Sequence, residues 1–253
     1  MLKGHLPIWL LTYNMNCILL PKNTKTISNE QQVRHIKEVL KAKVGDRLTI
    51  GEIGGNLGKA TIAKMNTEEV VLTDVVLDKK PPAKLDLTVV LALPRPKVLR
   101  RLIMDMTSLG VKRIIIVNSY RTQKSYWQSP LLERIDEFVF EGLQQAIDTV
   151  PPVIEFKKRF KPFVEDEFPD LLAEGDDAVV AHPYAKHSWR AYLDEKKVQQ
   201  KMPKVLCIGA EGGWIAYEVD LLCKHGCTAV SLGERIFRTE TVVSVLLGHW
   251  LAE

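Results

Sequence analysis

What this chain lacks narrows it before any motif does. It has only four cysteines, Cys17, Cys207, Cys223 and Cys227, and no CxxC pair among them. That excludes a disulfide-stapled secreted scaffold and the paired-cysteine zinc sites, and implies reduced thiols in the cytoplasm. Six histidines are scattered without HxxxH spacing, so no metal is expected. Long apolar runs are missing too. The run Leu6 to Leu11 near the start is too short to span a membrane and contains Pro7. It follows one lysine and no small-residue cleavage site comes after it, which argues against a secretion signal. Charge of one sign is not in excess: the net charge is only +4, so any acidic partner must be met by local clustering.

What is present is a soluble globular composition, 46% hydrophobic and 26% charged, in a chain of 253 residues that suits one large or two modest domains. Residues 1–14 carry no motif and precede the strand-like "NCILL", so they read as a dispensable extension. From Met15 to Asp78 come β-branched runs, "RLTIGEI", "GKATIAKM" and "VVLTDVVL", parted by turn residues such as "GGNLG". One helix interrupts them, "NEQQVRHIKEVLKA", with Val33, Ile36, Val39 and Leu40 at helical spacing. "DKKPPAK", residues 78–84, is a stiff solvated linker that divides a first domain, 15–80, from a second, 81–253.

Beyond the linker the pattern changes to continuous apolar strands alternating with helices. "LTVVLAL" and "RIIIVNS" flank a helix opened by Pro96 and closed by Gly110; a helix over 131–147, the strand "VIEF" and the interrupted helix "EDEFPDLLAEG" follow. The strands "AVVAHP" and "KVLCIG" come next, then helix 216–225, strand 228–232 and helix 239–252. Such alternation predicts a mainly parallel α/β sheet. Ligands of such sheets bind beyond the carboxyl ends of strands. Two glycine-broken stretches stand there, "IGAEGGWIAYEV" from Ile208 and "SLGERIFRTETVV" from Ser231. "GAEGGW" is neither a dinucleotide fingerprint nor a P-loop, and Glu211 would repel phosphate, so the loop suits an uncharged or cationic ligand. A branched side chain at Gly212 is expected to fall where that ligand lies and to strain a left-handed backbone. Arg235 and Arg238 flank an apolar pair, and Thr239 is placed to cap the last helix.

"IGAEGG" followed by "EV", then "SLGERIFRTET", resembles the signature of the ribosomal RNA small subunit methyltransferase E family, of the SPOUT class. The likeness runs from about Met15 to the end and takes in "HIKEVLKAKVGDRL", "LGVKRI" and "AHP". It implies a PUA-like β-barrel that binds RNA, then an α/β domain with a mainly parallel, trefoil-knotted sheet. It also implies S-adenosylmethionine as cofactor, an obligate homodimer, and methylation of uridine N3 in 16S rRNA of the small ribosomal subunit. The cofactor would lie among three loops. These supply His182 and Pro183; Gly209, Ala210, Glu211, Gly212 and Gly213; and Leu232, Gly233, Ile236, Arg238 and Thr239. The sequence departs from the family at Ala210, where proline is usual, and at Ile215, where a Ser or Thr N-cap is usual, so that the capping box with Glu218 is expected to be lost. It also departs at Glu38, Lys41, Asp105, Ser108 and Asp148, on the presumed RNA side. Those changes keep two rivals open: a methyltransferase of another RNA, and a non-catalytic RNA-binding relative.

Between Arg95 and Lys124 eight basic residues face a single acid, Asp105, and "NSYRTQKSYW" interleaves Tyr120, Tyr126 and Trp127. Basic residues with aromatics suit a phosphate backbone with splayed bases. Arg34, Lys41, Arg95, Arg100, Arg121 and Lys124 are the RNA-binding candidates. Transfer to N3 requires loss of a proton and support for charge on the uracil carbonyls, for which Arg238 and Arg235 are the candidates; Glu240 or Glu211 would accept the proton or orient an arginine.

Overall fold

The computed structural model describes residues 16–197 and 202–251; the expected extension 1–14 lies outside them. The chain forms two compact units, and the second starts at Lys84. Residues 139–151 cluster with the first unit although the chain has by then built two strands of the second.

The first unit carries a five-stranded sheet of order β1-β3-β4-β5-β2. Its strands are β1 (Ile18–Leu20), β2 (Thr26–Ile27), β3 (Arg47–Glu52), β4 (Leu57–Met65) and β5 (Val70–Lys79). All pairs are antiparallel except β1 with β3. Alternate residues of β3 and β4, Leu48, Ile50, Ala60 and Ile62, are buried with Val33 and Ile36. The helix holding those last two starts at Asn29, whose side chain accepts the Gln32 N–H. This α1 (Glu30–Arg34) runs on as a π-helical turn, His35–Val39, and that corrects the single amphipathic helix expected from spacing. The wider turn rotates the later residues off the buried face, so Val39 and Leu40 are exposed. Lys41 then takes a left-handed φ of 50°.

The segment 139–151 is fastened into this unit by polar contacts. Gln32 Nε2 donates to the Leu19 carbonyl and to Gln144 Oε1, at 2.9 and 2.8 Å, in a buried setting. The Cys17 N–H reaches the Gln144 carbonyl and the Gly54 N–H reaches that of Thr149. Asp148 is buried and accepts the N–H groups of Thr149 and Val150. It shapes a turn.

The second unit is built on a seven-stranded sheet of order β10-β12-β9-β11-β6-β7-β8, in which every pair is parallel. The strands are β6 (Leu85–Ala92), β7 (Val111–Val117), β8 (Val153–Lys157), β9 (Ala178–Ala181), β10 (His187–Ser188), β11 (Val205–Ile208) and β12 (Cys227–Ser231). β11 fills the slot between β6 and β9. α2 (Pro96–Ser108) starts at proline and gives way to Gly110 at φ 82°, as the sequence predicts. It buries Leu99, Leu102, Ile103 and Met106. α3 (Ile135–Ala146) is preceded by a 3-10 turn, Pro130–Arg134.

α4 (Phe160–Pro162) continues as a π-helical turn to Glu167 and a 3-10 turn from Pro169, in place of the longer helix expected there. Its Phe163 meets Phe168 edge to face at 6.1 Å. Like β2 of the first unit, β10 and α5 (Trp189–Lys197) have no counterpart in the sequence reading. Trp189 there stacks on Tyr192 at 5.4 Å and on Trp250 at 5.8 Å. α6 (Ala216–Lys224) and α7 (Thr239–Leu247) close the chain, the latter shorter than the expected 239–252. All four cysteines are free; Cys207 and Cys227 are buried with their sulfurs 4.0 Å apart. Among the described residues, no helix is long and apolar enough to cross a membrane.

Gly58 of β4 is the tightest position in the first sheet, because an added Cβ would overlap the Val76 carbonyl. Gly58→Ala is expected to destabilise the protein by about 3 kcal/mol, read as a lower urea midpoint.

Candidate functional site

Three neighbouring parallel strands, β12, β9 and β11, end at one edge of the second sheet, and the residues that follow them enclose a cavity of about 240 Å³. After β9 come His182, Pro183 and Tyr184; after β11, Gly209 to Trp214; after β12, Leu232, Arg235, Ile236, Phe237 and Thr239. The structure thus brings together most of the residues that the sequence set aside for a cofactor. Gly233 and Arg238 are not part of the wall.

The glycine loop has its shape for local reasons. A Cβ on Gly209 would lie 2.9 Å from Gly213 Cα, so the chain doubles back too closely for any side chain. The Gly213 N–H closes the turn on the Ala210 carbonyl at 2.8 Å. Gly213 and Gly233 hold φ values of 68° and 103°, and a Cβ on either would meet nothing within 4 Å. Gly212 is different. Its φ is not in the left-handed range, and a Cβ there would meet Arg121 Cδ at 2.9 Å. The expected clash at Gly212 is therefore with Arg121, and the left-handed glycine is its neighbour.

Side chains from other elements bolt this loop down. The Glu211 carboxylate accepts the Arg95 N–H, at 3.1 Å to Oε1, where the positive end of α2 favours an anion. Arg121 Nη1 donates to the Gly212 carbonyl. Glu218, only 2% exposed, accepts the Tyr120 N–H at 2.7 Å and the Ile215 N–H at 3.0 Å. Half of the capping box expected to be missing therefore survives: Ile215 offers no hydroxyl, yet Glu218 still reaches back to its N–H. Thr239 does not cap α7 as expected. It is the first helical residue, Arg238 occupies the cap without a side-chain bond, and the Thr239 hydroxyl lies 3.4 Å from the Gly209 carbonyl.

Arg235, Arg238 and Ile236 are exposed, Ile236 by 70% although it lines the cavity. Glu240 is ion-paired to Arg101 at 2.6 Å, and this contact holds its carboxyl below the usual carboxylate range. Trp214, an apolar part of the cavity's wall, packs against Phe160 at 5.5 Å. His182 Nδ1 is buried and has no partner among the described residues. Burial, and then the charge of Arg121, push the ring's pKa below its ordinary 6.5. The imidazole is accordingly neutral at neutral pH.

The RNA candidates are dispersed. In the first unit, Arg34 pairs with Glu30 one helical turn away and Lys41 is exposed. In the second, Arg95 and Lys124 are exposed, and Arg100 lies over the Phe138 ring at 5.5 Å. Arg121 lines the cavity, a placement the sequence reading missed because the residue follows β7, two strands away from β11. Tyr120 is 79% exposed beside it. Trp127 donates to Asn118 Oδ1 and meets the edge of Phe156, so its ring is engaged by the fold.

Titration of His182, followed by NMR, is expected to give a midpoint below 6.5. Arg121→Gln should raise that midpoint without restoring 6.5, because burial is the larger cause. A depressed folded-state pKa means that this residue's contribution to stability is complete above 6.5 and is lost as pH falls towards the folded value.

The chain matches two family models, an RNA methyltransferase domain over residues 81–251 and an RNA methyltransferase PUA domain over 27–75. It is 30% identical over 217 residues to the ribosomal RNA small subunit methyltransferase E of Treponema pallidum, covering 82% of this chain and 77% of that one. With the Synechocystis protein of the same name it shares 28% over 219 residues, 86% of this chain and 70% of the other. Two solved structures share its fold. One is a Legionella pneumophila methyltransferase described with bound S-adenosylmethionine (TM-score 0.72, 21% identity, 94% and 98% coverage). The other is the Neisseria gonorrhoeae ribosomal RNA small subunit methyltransferase E, also described with S-adenosylmethionine (TM-score 0.70, 20% identity, 94% and 98% coverage). A parallel sheet preceded by a small, largely antiparallel one is the architecture that the SPOUT resemblance implies. The chain belongs to the ribosomal RNA small subunit methyltransferase E family of RNA methyltransferases.

Proposed function

We propose that the cavity binds S-adenosylmethionine and that the protein methylates N3 of a uridine in 16S rRNA, in the cytoplasm. The observation that carries the cofactor reading is the chemistry of the wall. Glu211 places a carboxylate where a sulfonium is tolerated and a phosphate is not, and no lysine among the described residues lines the cavity. Gly213 leaves room for a ligand against bare backbone, and the buried Nδ1 of His182 is free to bond one. The family relatives named above as small-subunit RNA methyltransferases support the substrate class.

When bound, the cofactor supplies an electrophilic methyl group. This chain's own residues position the acceptor and stabilise its charge. Arg235 lines the cavity and Arg238 stands at the start of α7, both solvent-facing, where an incoming base is reached. Their guanidinium groups would stabilise charge on the uracil carbonyl oxygens as the N3 proton leaves. Glu240 is a poor proton acceptor, since its pairing with Arg101 lowers its basicity; orienting α7 against α2 suits it better. Glu211 is already engaged by the Arg95 N–H. The proton is then delivered to solvent, which the open mouth admits. The first unit, 15–80 in the sequence reading, would hold RNA through residues such as Arg34 and Lys41.

The decisive experiment is calorimetry with S-adenosylmethionine together with nucleoside mass spectrometry of 16S rRNA from cells with and without the protein. Loss of N3-methyluridine in its absence is expected. Cofactor binding without that loss would assign another RNA, and no cofactor binding would leave a non-catalytic relative. Arg238→Ala is expected to keep cofactor affinity and to slow single-turnover methylation about a hundredfold. If affinity falls with the rate, Arg238 shapes the cofactor loop instead.

A homodimer completes the proposal. α7 buries Val243, Leu246 and Leu247, while its Val245 and, beyond its end, Leu251 are exposed. Light scattering at low micromolar concentration is expected to return twice the mass of the 28.7 kDa chain; a monomer mass would remove this part of the proposal.

A further inference from the structure

The loop that follows β7 is tied to the glycine loop and to the first turn of α6 behind it, through adjacent residues. Arg121 grips the Gly212 carbonyl, and the N–H of its neighbour Tyr120 is bound by the Glu218 carboxylate, whose other oxygen holds the Ile215 N–H. The β7 loop is itself fixed. Thr122 Oγ1 lies 3.1 Å from the Ser119 hydroxyl and donates to the Leu93 carbonyl at 3.0 Å. Glu218 is 2% exposed and meets two amide donors, an arrangement that satisfies a buried carboxylate and that no neutral side chain of its size reproduces. If it served only to cap α6, the Ile215 contact would be enough. The shorter bond goes to Tyr120, 98 positions away in the chain.

We propose that Glu218 is a positioning residue that works through Arg121: by fixing the Tyr120 backbone it aims the Arg121 guanidinium at Gly212, and so sets the shape of the cofactor loop. The inference rests on the S-adenosylmethionine reading of the cavity. Its consequence is that Glu218 and Arg121 form one device. Once either is lost, the other has nothing to hold or no support, and their effects on cofactor binding do not add.

A double-mutant cycle tests this on the full chain. S-adenosylmethionine affinity is measured by calorimetry for the unaltered protein, Glu218→Gln, Arg121→Met and the double variant, with thermal unfolding alongside. Glu218→Gln turns one acceptor into an amide N–H2 that faces a donor, and Arg121→Met keeps the stem but removes the guanidinium. Each single variant is expected to bind about tenfold more weakly, and the double variant also about tenfold rather than a hundredfold. A hundredfold loss in the double variant would show two independent contacts and overturn the proposal. So would unaltered affinity in Glu218→Gln, including the case in which only its unfolding temperature falls. Should Glu218→Gln fail to fold, Glu218→Asp takes its place in the cycle. It keeps the carboxylate and shortens its reach to one amide; a non-additive loss supports the proposal and an additive one overturns it. Failure of the unaltered protein to bind the cofactor would instead remove the reading of the cavity.

Discussion

Strands that exclude water on both faces govern the second unit. In β6, β7, β9 and β11 the central residues, Val89 to Ala92, Ile114 to Val117, Val179 and Val180, and Val205 to Cys207, are wholly buried. Their amide groups are satisfied only by the parallel ladder, so no residue within a strand is free for chemistry. Parallel pairing also makes neighbouring strands finish at the same edge. The polar groups released there, from three successive loops, are what the sheet leaves available for a ligand.

Loops so placed would be mobile without ties, and each tie here is a polar contact to a different element. Glu211 leans on the start of α2, Arg121 comes from beyond β7, Thr239 from the start of α7 and Glu218 from α6. Two of the four contacts end on carbonyls of the tight glycine turn, those of Gly212 and Gly209, which the turn exposes and cannot satisfy by itself; the other two end on the N–H groups of Arg95 and Tyr120, in the segments that brace it. The bare backbone that admits a ligand closely is thus the same backbone that needs outside partners.

Much of this was legible in the sequence, for reasons of period and punctuation. The continuous apolar runs of β6 and β7, Pro96 before α2 and Gly110 after it, and the two glycine-broken stretches all carry local signals that the structure respects. What escaped were features set by distant partners. α5 has a weak apolar stripe and is covered through Trp189 against Trp250, a contact across the sequence. The π turns at His35 and Phe163 keep helical spacing in the sequence while rotating their faces. Arg121 read as one basic residue among eight; only folding shows it beside Gly212. Thr239 has the identity of a cap, but the nearest acceptor is the Gly209 carbonyl.

The return of residues 139–151 to the first unit has a consequence during synthesis. Strands β1 to β5 leave the ribosome long before Gln144 and Thr149, whose contacts with Gln32, Cys17 and Gly54 complete their packing. A nascent chain ending near the linker carries the whole five-stranded sheet and lacks its last polar fastenings. Vectorial folding, in which an N-terminal domain matures before its successor appears, therefore leaves these fastenings unmade until residues 139–151 arrive. The last contacts of its leading unit form only after β6, α2 and β7 have also emerged.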